Sequence, residues 1–80
     1  MAISDELRKL VDPNNECCCE HCLSNKCKEW ANITKNVYLS SGFNEMDKKW
    51  EAMMMQHTFP ASTEPEAIFK ACQWILDNRK

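Results

Sequence analysis

Apolar positions along the chain recur mostly at helical spacing. Ile3, Leu7, Leu10 and Val11 share one face of a first helix. Ser4 is placed to cap it, and Asp5 and Glu6 suit the positive end of its dipole. Asp12-Pro13 stops it, because proline disfavours helical geometry in the residue before it. Cys27, Trp30, Ala31, Thr34, Val37 and Tyr38 repeat at steps of three and four. That spacing predicts a second helix from an N-cap at Ser24 to a left-handed stop at Gly42. Met46, Trp50, Met53, Met54 and His57 predict a third, with Asn44 as its cap and Glu45 and Asp47 in its first turn. Pro60 follows it. Thr63-Glu64-Pro65-Glu66 is a capping box for a fourth helix, with proline tolerated in the first turn. Ile68, Ala71, Cys72, Ile75 and Leu76 form its buried stripe, and Arg79 and Lys80 complement its negative end.

The pattern predicts a mainly α, single-domain bundle of about four helices over residues 1–80, with a Cys-rich loop at 16–28 after the first helix. An α+β alternative comes from Ile33-Thr34 and Val37-Tyr38-Leu39, which are β-prone. It places a short strand around 36–41, and the stretch around Thr58-Phe59 is the only other candidate to pair with it.

Length and composition narrow the function classes. Eighty residues make one small domain, 44% apolar and 28% charged, with a formal net charge of −2. Such a composition argues for a packed core rather than disorder. No apolar run approaches the roughly 18 residues of a membrane helix. The opening MAISDELRKLVD lacks the apolar centre of a secretion signal, so a cytoplasmic protein is expected. A broad basic surface for duplex DNA does not fit this charge.

Cysteine placement is the chemical anomaly. Five of the six cysteines lie between residues 17 and 27, and Cys72 stands apart. Three consecutive cysteines make a poor disulfide framework, since neighbours along the chain cannot easily bridge. A small core also gains most from a metal staple. Cys19-Glu20-His21-Cys22 is a C-x2-C pair of the kind that grips zinc, and Cys27 would sit in the first turn of a helix capped by Ser24. The expected structural zinc ligands are therefore Cys17, Cys19, Cys22 and Cys27. His21, Cys18, His57 and Cys72 are the lesser candidates. Such a closed site has no open coordination position, so no catalysis follows from it. The spacing departs from that of a zinc ribbon, which has two such pairs. It departs equally from a zinc knuckle, because Cys27 stands where the histidine belongs. Cys72, on an apolar face, reads first as core, and His57 as the edge of a stripe. A lipidated or redox-sensing cluster is the remaining reading of the thiols.

Other features point to partners. Lys26, Lys28 and Lys35, with Trp30 nearby and Lys48 and Lys49 to extend the patch, could contact phosphates and stack a base. Met55 and Phe59, if exposed, would mark a protein-binding patch, whereas Met53 and Met54 read as core with Trp50. The run Pro65-Glu66-Ala67-Ile68-Phe69-Lys70-Ala71-Cys72 resembles the P-x-A-I-x-x-A helix that closes some small uncharacterised phage proteins. The resemblance covers about 12 of the 80 residues. It implies an intracellular accessory protein of a phage or mobile element, favours the strand reading of 33–41, and implies no activity. The expected function is a small zinc-stabilised binding or adaptor module acting through protein contacts or self-association. The alternatives are a nucleic-acid-binding zinc module using the Lys26–Lys35 helix and a thiol redox or metal-handling protein.

Overall fold

The computed structural model describes residues 3–17, 19–54 and 57–78. Helix α1 (Asp5–Val11) is followed by helix α2 (Glu20–Glu29), which runs into a π-helical turn (Trp30–Thr34). Strands β1 (Ser40–Asn44), β2 (Lys49–Met54) and β3 (His57–Ala61) come next, and helix α3 (Glu64–Asn78) closes the order. The strands form one antiparallel sheet in the order β1-β2-β3. The fold is α+β, which corrects the expected mainly α bundle of about four helices. No helix among the described residues is long and apolar enough to cross a membrane.

The expected third helix is a β-hairpin, and its starting signal is real but serves a turn. Asn44 Oδ1 accepts the backbone N–H groups of Met46 at 3.0 Å and Asp47 at 3.3 Å. These are the bonds a helix-capping side chain makes. Lys48 then takes a left-handed backbone at φ 54°, and the chain reverses after a single turn. Beyond it the period is two: Ala52 and Met54 are buried while Met53 between them is exposed. Met46, expected in the core stripe, is 94% exposed at the hairpin tip. Phe43 lies opposite Trp50 across β1 and β2, with ring centroids 5.4 Å apart in an edge-to-face arrangement. Pro60 has no N–H to give, and it sits on the edge strand β3, where that omission is tolerated.

The second helix also differs in both bounds. It starts at Glu20 rather than after Ser24, and its π-helical continuation ends at Thr34, well before Gly42. Asn36, with φ 55°, takes the left-handed conformation expected of Gly42. Gly42 lies within β1, opposite Glu51. Between them Val37 and Leu39 are buried and Tyr38 is 76% exposed, an alternation that belongs to extended chain. The strand expected around 36–41 begins only at Ser40.

Helices α1 and α3 form where their caps and spacing place them. The Ser4 side chain accepts from Leu7 N–H, and Thr63 Oγ1 accepts from Glu66 N–H at 3.3 Å. Helix α3 buries Ala67, Ile68, Phe69, Ala71, Cys72, Ile75 and Leu76. Its Trp74 meets His57 at 4.4 Å between ring centroids and Phe59 at 6.4 Å. Its Gln73 accepts from the Ser4 hydroxyl of α1. At its start, Lys28 Nζ of α2 donates to Ser41 Oγ of β1 at 3.1 Å, and that hydroxyl donates to Glu64 at 2.9 Å. Leu10 is the exception to the α1 stripe, being 49% exposed. Arg79 and Lys80 lie outside the described residues.

Two substitutions separate this fold from a helical bundle. Phe69→Ala removes a core ring and should cost about 3–5 kcal/mol. Met46→Ser should change stability by less than about 0.5 kcal/mol, where a core methionine would cost several times more. Urea unfolding of both variants checks the pair.

Candidate functional site

The end of α1 builds the thiol site. Asp12 is buried at 3% exposure, and its N–H closes α1 by bonding Arg8 O at 2.8 Å. Its carboxylate then reaches forward. Oδ1 accepts Glu16 N–H at 2.9 Å and Oδ2 accepts Cys17 N–H at 3.1 Å. Asn15 makes the turn possible with φ 54°, and Arg8 Nη2 donates to its Oδ1 at 2.7 Å. The carboxylate therefore replaces the water that Glu16 and Cys17 N–H groups would otherwise need. The first of these bonds, from Glu16 N–H, is the main force holding the Asp12 carboxyl below its ordinary range; burial opposes it, and the Cys17 amide adds to it.

This clasp sets Cys17 against the first turn of α2. Cys22 Sγ donates to Cys17 Sγ at 3.3 Å. Burial pushes the Cys17 thiol up to about 12, helped by the neighbouring Cys22 and the negative charge of Asp12. Both residues are half-buried. Cys19 is exposed and occupies the N-cap of α2, with Leu23 N–H bonding its carbonyl at 3.1 Å. His21 is exposed on the first turn. Cys18 lies outside the described residues.

Cys27 faces the other way. It is fully buried in the middle of α2, not in its first turn, because the helix begins seven residues earlier at Glu20. Cys72 Sγ of α3, also fully buried, donates to Cys27 O at 3.4 Å. The Cys27 side chain and burial together hold the Cys72 thiol well above the ordinary thiol range. Ser24, expected to cap α2, is instead buried within it, and its hydroxyl donates to His21 O at 2.8 Å. That back-bond satisfies the hydroxyl inside the helix.

Of the four expected zinc ligands, the structure brings Cys17 and Cys22 together, leaves Cys19 at the helix cap, and assigns Cys27 to the core beside Cys72. Among the described residues, no three His, Cys, Asp or Glu side chains gather as a metal-binding group. His57 packs against Trp74 with the two rings tilted by 41°. The lysines expected to line a phosphate patch have different neighbours. Lys26 Nζ is 3.8 Å from Glu16, Lys28 bonds Ser41, and Lys35 Nζ lies 5.8 Å from the Trp30 ring centroid. Trp30 itself is buried, which removes it as a stacking platform for a base. Phe59 is half-buried against Trp74, and Met55 lies outside the described residues.

A second feature lies between the end of α1 and the end of α2. Leu10 at 49% exposure and Ile33 at 79% line one shallow groove with Val11, Trp30 and Thr34, rimmed by Lys26 and Glu29. Ile33 reaches this surface because the π-helical turn shifts it out of the α2 register. Periodicity at a uniform 3.6 residues does not register such a shift.

The clasp predicts a pH signature. The folded pKa of Asp12 lies below its ordinary value of 3.8. Its stabilising contribution is therefore complete above 3.8 and is lost as pH falls through the lower folded value. Asp12→Asn presents an N–H2 where a second acceptor is needed, so the variant should be less stable than the parent at neutral pH. The gap should close as pH drops below that range. Urea midpoints of both proteins across an acid titration measure it.

No family model matches the chain, and no curated protein or solved structure matches it either, so the resemblance at residues 65–72 stands on those residues alone.

Proposed function

We infer that this chain is a non-catalytic binding module that works through protein–protein contact at the Leu10–Ile33 groove, with a second copy of itself as the partner. The observation that carries this reading is the pairing of two exposed aliphatic side chains beside a buried tryptophan. Fully burying a leucine or isoleucine stabilises by about 1.5–3 kcal/mol. Charge at the rim supports a self-complementary contact. Lys26 and Glu29 are one base and one acid on the same helix. Across a two-fold axis each can face its opposite in the other copy, since a residue pair in an isologous interface occurs twice. This reading rests on the groove alone and takes no support from a structural zinc.

Sedimentation equilibrium over a wide concentration range tests the reading. The parent should dimerise with a Kd in the range of about 1–100 μM. Leu10→Asp combined with Ile33→Asp should be monomeric with an unchanged far-ultraviolet spectrum, as expected for substitutions outside the core. Exposed rim charges contribute about 0–1 kcal/mol, so salt should shift the dimer only slightly. A parent that stays monomeric at every concentration overturns the proposal. So does oligonucleotide binding that falls steeply with salt while no dimer forms, since that behaviour reports phosphate contacts.

A further inference from the structure

We propose that Cys17 and Cys22 are a reversible oxidation site, closed to an intramolecular disulfide by a hydroperoxide. The sulfurs are 3.3 Å apart. A disulfide needs about 2.05 Å, so closure asks for a movement of roughly 1.3 Å. One anchor is the backbone of Cys17, gripped by Asp12, and the other is the first turn of α2. Both thiols are half-buried, within reach of a small oxidant. The core pair Cys27 and Cys72 has no such access, being fully buried.

The chemistry assigns each sulfur a role. Cys17 sits against the Asp12 carboxylate, which accepts its N–H at 3.1 Å and opposes a second negative charge beside it. The first attack therefore falls to Cys22. Its thiolate attacks the peroxide oxygen, the O–O bond breaks, and an alcohol leaves after taking up a proton. Cys22 is then a sulfenic acid, two electrons poorer. Once Cys22 is oxidised it no longer carries a thiolate charge that opposes ionisation of Cys17. The Cys17 sulfur then attacks Cys22 sulfur, the S–O bond breaks and water leaves. Two thiols and one hydroperoxide give one disulfide, one alcohol and one water. A dithiol reductant reverses the bond by exchange.

The test uses the full chain as purified, treated at neutral pH with one equivalent of hydrogen peroxide, then alkylated and mapped by mass spectrometry. The expected product has lost two hydrogens, blocks two thiols from alkylation, and links Cys17 to Cys22. A dithiol reductant restores both thiols. The double variant Cys18→Ser, Cys19→Ser should form the same bond. Cys17→Ser should stop at a Cys22 sulfenic acid that dimedone captures. A disulfide through Cys18 or Cys19 in the parent overturns the assignment, as does retention of every alkylatable thiol. Elemental analysis that finds a metal ion protecting both sulfurs also overturns it. The mapping of the parent protein decides the matter even if a variant fails to fold.

Discussion

Helix α3 can be held only from several sides at once, because its apolar surface is wider than a single stripe. Eight of its residues, from Pro65 to Leu76, are buried. A two-helix contact covers a narrow seam, so the remaining width needs another layer. The sheet supplies it. Trp74 lies against His57 and Phe59 of β3, Lys70 Nζ reaches Pro60 O at 3.0 Å, Cys72 meets α2, and Gln73 meets α1. The chain between α2 and α3 is committed to strands for this reason. A third helix there would leave a row of apolar positions on α3 in water.

The ends of the chain were legible and the middle was not, and the difference is physical. In α1 and α3 the cap, the dipole charges and the apolar spacing agree, so local preference and packing give one answer. Residues 44–57 satisfy two patterns. Trp50, Met53, Met54 and His57 suit a helix, and Trp50, Ala52 and Met54 suit a strand. Local sequence does not separate them, since the Asn44 oxygen accepts the same two backbone N–H groups in a helix cap and in this turn. Cross-strand partners up to thirteen residues apart in sequence decide the outcome, such as Ser40 and Met53 on one side and Trp50 and Ala61 on the other. The boundary of α2 failed for a related reason. Ser24 is a strong cap residue by type, while the residue that takes the position, Cys19, makes no side-chain capping bond.

At the site, sequence spacing identified the thiols but not their grouping. A Cys-rich loop at 16–28, with a helix capped only at Ser24, would let Cys19, Cys22 and Cys27 converge. Once Glu20 to Glu29 is helical, Cys22 and Cys27 are five residues apart and turn to different sides. By sequence, Asp12 is the stop before Pro13. Its second role had a signal, since an aspartate at a helix end followed by Pro-Asn-Asn commonly folds its carboxylate onto the amides ahead. The exposed Ile33 had none, because it depends on a π-helical turn.

The seam between α2 and α3 holds two thiols that solvent does not reach, Cys27 and Cys72. Any separation of these helices uncovers both together. A bulky alkylating reagent that arrives during such an excursion adds volume the closed interior cannot readmit, so each event works as a ratchet. The slow disappearance of these two sulfurs from a thiol assay is therefore a clock for how often this small protein opens along its longest helix.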